Sequence, residues 1–159
     1  MSLLTLDEAR AHLKVGPTYP AEQIEPYLRG AEAIAVKFLN RNIYESATAL
    51  QSALAGVPAA LEAAADAKAV GLAAADAATD PDVAEWLRCT AYEQYRQALS
   101  DAGYVQRGIV INENIKTALR LLLNHLDENR ESVARGVSMV EVPLGAEFFL
   151  LPDRVGWGG

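Results

Sequence analysis

Apolar positions recur every three or four residues along most of the chain, the period of helices that bury one face. Leu6, Ala9 and Leu13 share one face of a short helix that stops at Gly16-Pro17. Its start is the capping box Thr5-Leu6-Asp7-Glu8, in which hydroxyl and carboxylate satisfy each other's backbone amides. A longer helix is expected from about Ala21 to Asn40, with Ile24, Leu28, Ala31, Ile34, Ala35, Phe38 and Leu39 at helical spacing. Pro26 suits a first turn, so regular helix is expected to begin nearer Glu25.

The texture changes between Ala47 and Gly103. A second capping box at Thr48–Gln51 predicts a short helical stretch ended by Gly56 and Pro58. Fourteen alanines lie between Ala53 and Ala78, among few large side chains. Such a segment favours helix and has little to bury, which predicts an exposed or loosely docked helical excursion. Asp80-Pro81 caps the next helix, expected to reach about Ser100 with Val83, Leu87, Ala91 and Tyr95 or Ala98 inward and Gly103 closing it.

Asn112 or Asn114 caps a helix from Ile115 to about Arg130. Its Ile115, Ala118, Leu119, Leu122, Leu123 and Leu126 make the strongest apolar face in the chain. The period then shifts. Val137–Val142 alternates and ends at Pro143, as an edge strand or extended arm would. Phe148-Phe149-Leu150-Leu151 is a compact apolar run before Pro152, followed by a glycine-rich end expected to be mobile.

Composition narrows the class. The 159 residues suit one domain, and 29 alanines within a 51% hydrophobic chain tilt it toward helix. The net charge of −7 argues against general nucleic-acid affinity, which needs lysine and arginine to displace counterions. Residues 47–104 hold 8 acids against 3 bases and carry most of that imbalance. Cys89 is the one cysteine, so no intramolecular disulfide forms. No run reaches the ~18 apolar residues of a membrane span, and no basic-then-apolar signal opens the chain. A reducing, cytoplasmic setting is expected.

The residues offer little for catalysis. His12 and His125 are far apart and neither has a second ligand at metal spacing. Gly103 and Gly108 precede no phosphate-loop lysine, and no serine sits in a nucleophile elbow. Asp127, Glu128 and Glu131 read as a solvated helix face near Arg130. Cys89, beside Trp86, Leu87 and Tyr92, reads as a buried, inert thiol. Trp157, between glycines, is either a loose tail or a partner's anchor. No enzyme activity, cofactor or metal is expected.

Four stretches, in order, resemble the small head–tail connector (adaptor) proteins of long-tailed bacteriophages and prophages. The opening Leu4–Val15 is similar to that family's first helix, and Phe38-Leu39-Asn40-Arg41-Asn42-Ile43-Tyr44 to the end of its second. Ile115–Arg130 runs into an Asn129-Arg130-Glu131 triplet, and Val142-Pro143-Leu144-Gly145-Ala146 precedes Leu150-Leu151-Pro152-Asp153-Arg154. About two thirds of the chain is covered; the 47–104 segment is longer and richer in alanine than a compact member needs.

The resemblance implies a structural subunit that assembles with itself as a ring beneath the portal protein. There it would extend the DNA channel, without binding DNA specifically, and dock the next connector or tail protein. It places the chain in the host cytoplasm during assembly and then in the virion neck. It also singles out Arg41, Asn129 and Arg130 as motif positions. The competing reading is a cytoplasmic helical protein-binding module, an adaptor or regulator, acting as monomer or dimer.

The expected fold is therefore all-α: a small bundle from 1–46 and 105–136, a helical insertion over 47–104, and an extended arm over 137–155. Ile34, Phe38, Leu119, Leu122 and Leu126 are its expected core. Val140, Val142, Phe148, Phe149, Leu150, Leu151 and Arg154 are its expected assembly surface, because an isolated alternating strand wants a partner and four consecutive apolar residues cannot share one face.

Overall fold

The computed structural model describes residues 2–129 and 143–156. The chain is an all-α bundle with almost no strand, and it divides into two compact units, Met1–Ser46 with Ile109–Gly159 and Ala47–Gly108.

The first unit contains α1 (Leu6–Leu13), α2 (Ala21–Leu39), β1 (Ile43–Tyr44), β2 (Ile109–Val110), α5 (Glu113–Glu128), α6 (Leu144–Leu150) and a 3-10 turn at Leu151–Asp153. The Thr5–Glu8 capping box forms with both of its bonds. Asn112 is the cap of α5, its side chain accepting from the Ile115 amide at 2.9 Å. Helix α2 is regular from Ala21, four residues earlier than Pro26 suggested, and carries the proline inside.

Packing follows the apolar stripes. Ile24, Leu28, Ala31, Ala35 and Leu39 of α2 meet Ile115, Ala118, Leu119, Leu122, Leu123 and Leu126 of α5 in one cluster, which Leu4 and Ala9 also join. Ile34 and Phe38 are partly buried against it. The N-terminal segment before α1 is pinned by Glu32, whose Oε1 accepts from the Leu3 amide and the Ser2 hydroxyl, each at 2.6 Å.

Strands β1 and β2 are a two-residue parallel pair, Ile43 opposite Ile109 and Tyr44 opposite Val110. The Ile109 amide donates to the Asn42 carbonyl (2.9 Å) and that of Ile111 to Tyr44 (2.8 Å). Parallel strands require a crossover, and the whole second unit is that crossover.

The second unit is a helical hairpin of α3 (Ala47–Ala77) and α4 (Pro81–Gln106), with Asp80 capping α4 through the Asp82 and Val83 amides. Helix α3 passes through Gly56 and Pro58, where a stop was expected, and Thr48 and Gln51 lie within its first turns. Strong helix formers on both sides and a partner helix along its length outweigh one proline, whose interior cost is about 3 kcal/mol. Helix α4 likewise continues past Gly103 to Gln106.

The hairpin seam is built from small residues. Val57, Leu61, Ala64, Lys68, Gly71 and Ala75 are shielded on α3, with Ala78 just past its end, and Ala84, Arg88, Ala91, Tyr95, Ala98, Ala102 and Val105 on α4. Both sets alternate steps of four and three, the spacing of a two-helix coiled coil. A Cβ added at Gly71 would stand 2.8 Å from the Ala91 Cβ, so the backbones approach too closely there for any larger residue. Lys68 sits over the Tyr95 ring, 4.0 Å from its centroid, and Arg88 reaches Asp76 at 2.9 Å. Val83, expected inward, is 49% exposed, because the alanines carry the seam.

Residues 143–156 do not extend. Leu144–Leu150 form a helix whose Ala146 and Leu150 are fully buried in the first unit's core. Pro143, read as a breaker, stands at the N-cap position, where its fixed φ and missing N–H cost the helix nothing. The alternating Val137–Val142 segment, with Val140 and Val142, lies outside the described residues, as do Arg130 and Trp157.

Candidate functional site

Helix α6 divides the expected assembly residues between two faces. Leu150 is core and Phe149 packs partly against it. Phe148 is 75% exposed, and Leu144, one turn earlier, is 84% exposed. The two Phe rings meet edge to face with centroids 5.9 Å apart. Phe148, Phe149, Leu151, Pro152 and Asn114 line an apolar groove of about 420 Å³. An outward Leu–Phe pair beside an apolar groove is the kind of surface that burial in an interface would stabilise.

What fixes this helix in place is a set of polar ties at the end of α2. Asn40 adopts a left-handed conformation (φ 56°), which short amide side chains tolerate, and ends the helix. The Leu39 carbonyl, left without an intrahelical donor, accepts from the Val155 amide at 3.0 Å. Asn40 Nδ2 donates to the Val155 carbonyl (3.3 Å), and Arg41 Nη1 to the Asp153 carbonyl (3.1 Å). Asn112 uses its other amide atom on the same residue, donating to Asp153 Oδ2 at 2.7 Å. The Arg154 guanidinium lies over the Phe38 ring, 4.8 Å from its centroid. Arg41 and Arg154 thus hold the segment after α6 against α2.

Asn129 ends α5, its side-chain amide donating to the His125 carbonyl at 2.8 Å. His12 and His125 stand on α1 and α5, and among the described residues no group of three or more His, Cys, Asp or Glu could hold a metal ion. No helix of the described residues is long and apolar enough to cross a membrane. Cys89 is exposed rather than buried. Its Sγ lies 3.6 Å from Glu85 Oε1, and that hydrogen bond, with the surrounding negative charge, pushes the thiol pKa up and keeps it protonated.

Sequence reasoning missed a second exposed surface. Trp86 on α4 is 65% exposed, one turn from Val83. The signal was present in the spacing: Ala84, Ala91 and Ala98 repeat every seven residues, and a seam through them turns Trp86 outward. No family model matches this chain, and neither a curated protein nor a solved structure does.

Proposed function

We propose that this protein is a structural subunit of a phage or prophage head–tail connector, assembling as a ring beneath the portal and docking the next neck component. The observation that carries the reading is the outward Leu144–Phe148 face on a helix that is otherwise locked into the bundle. It gives a folded subunit one firm apolar patch for a neighbour, in the part of the chain that resembles the connectors. The Leu4–Val15, Phe38–Tyr44 and Ile115–Arg130 stretches, in that order along the sequence, supply the rest of the resemblance.

The test combines Leu144→Ser with Phe148→Ser, both exposed, and co-expression with the portal protein encoded beside the gene. The parent is expected to co-purify with portal rings in fixed stoichiometry. The double variant should keep its helix content and melting and lose that association. A neighbourhood without portal, capsid or terminase genes, or a parent that ignores the portal, overturns the connector reading. A stable dimer in solution that does not bind portal would instead favour the protein-binding module.

A further inference from the structure

We propose that the outer face of α4 centred on Trp86 is a docking surface for an arginine-bearing segment of another protein, a role separate from the α6 face and independent of the connector reading. Trp86 and Val83 are one turn apart on the side of α4 away from its alanine seam, so folding leaves them uncovered. A tryptophan supplies large contact area at little entropic cost, and it is over-represented among residues that dominate binding. Trp86 is 65% exposed, so most of it is open to a partner.

The surroundings select the partner. Asp82 and Glu93 stand four residues before and seven after Trp86, on the same side of the helix, and Glu85 adjoins it. All three are exposed. Arg96 pairs with Glu93, and Arg88 divides itself between Asp76 and Glu85, which leaves Asp82 without a cation among the described residues. Residues 47–108 hold 8 acids and 4 bases. A second copy would bring the same negative charge, and a nucleic acid or an anionic lipid surface would bring more, so each is repelled. A guanidinium stacked on the indole and bonded to the Asp82 carboxylate satisfies both features at once. The same hairpin already places a cation on an aromatic face, where Lys68 lies over the Tyr95 ring.

The probe is hexa-arginine amide, with hexa-lysine and hexa-glutamate as controls, titrated into the full chain carrying Trp157→Phe so that Trp86 alone reports. Hexa-arginine is expected to change Trp86 emission saturably and to bind more tightly than hexa-lysine. Trp86→Ala should weaken hexa-arginine binding by calorimetry about threefold to fivefold. Trp86→Phe should lose less, and Asp82→Asn with Glu85→Gln should also weaken it. Circular dichroism checks that each variant keeps its helices. Equal binding to Trp86→Ala and parent, or no preference for arginine over lysine, overturns the proposal by showing that bulk negative charge is all that acts.

Discussion

Arg41 and Asp153 are 112 positions apart, yet the Arg41 guanidinium donates to the Asp153 main-chain carbonyl at 3.1 Å. That bond, the Asn112–Asp153 bond and the Leu39–Val155 bond join the end of α2 to the segment after α6. A part-buried hydrogen bond from a charged donor contributes about 1.5–3 kcal/mol. Arg41→Ala should therefore lower stability by about that amount. Amide exchange at Val155 should speed up in the variant while Leu122 stays protected.

Leu122 of α5 is fully buried between α2 and its neighbours, whereas Leu144 of α6 lies in solvent. Leu122→Ala is expected to cost about 2–5 kcal/mol, and Leu144→Ala less than about 0.5 kcal/mol. Urea melts of the two variants measure the contrast, and equal midpoints would remove α5 from the core.

Two glycines of α3 should respond to alanine with opposite signs. At Gly56 a Cβ meets nothing within 4 Å, so Gly56→Ala gains helix propensity, about 0.5–1 kcal/mol. At Gly71 the new methyl would lie 2.8 Å from Ala91 Cβ, and overpacking of this kind costs about 1–3 kcal/mol. Adding Ala91→Gly to Gly71→Ala should recover part of the loss, and a double-mutant cycle from thermal melts measures that coupling.

The hairpin should be removable only as a whole. Replacing 47–108 with a glycine- and serine-rich linker of about a dozen residues is expected to leave a cooperatively melting bundle, because loop closure varies slowly with length. Removing 47–79 alone strips α4 of its seam partner and exposes Ala84 and Ala91. That shorter deletion should lose more helical signal than the missing residues account for.

Glu8 has a carboxyl pKa held below its ordinary value of 4.5, chiefly by the Thr5 amide and then by the Thr5 hydroxyl. A carboxyl depressed by folding adds stability above its unfolded pKa, and the contribution fades as pH falls through the folded value. Glu8→Gln should thus melt below the parent near pH 7. The gap should close as acid takes the solution below 4.5, which parallel melts across pH would trace.

Legibility in the sequence followed the size of the side chains. Helix α5 was readable because its six inward positions are large or medium apolar residues at one spacing. The α3–α4 pairing was harder to read, since alanine and glycine carry its register and give almost no contrast in hydrophobicity. Val83 looked like core because it is larger than Ala84, although closeness of backbones favours the smaller residue. The pattern around helix α6 reads as an arm because four consecutive apolar residues hide its period, in which Ala146 and Leu150 face inward and Phe148 does not. Only the connector resemblance singles out Arg41. Its partner is a carbonyl brought near by the fold, and no local pattern announces such a contact.

The β1–β2 pair has a consequence for how this molecule can change over generations. The chain leaves the bundle after Tyr44 and returns at Ile109 on the neighbouring strand, with the register fixed by backbone bonds. The hairpin is thus an insertion whose two ends are tied to neighbouring strands. Because the seam repeats every seven residues, one added heptad in each helix would lengthen the hairpin by about 10.5 Å and return every side to its former bearing. The hairpin can act as an adjustable ruler whose graduations are heptads, each paired insertion preserving the small-residue seam between α3 and α4.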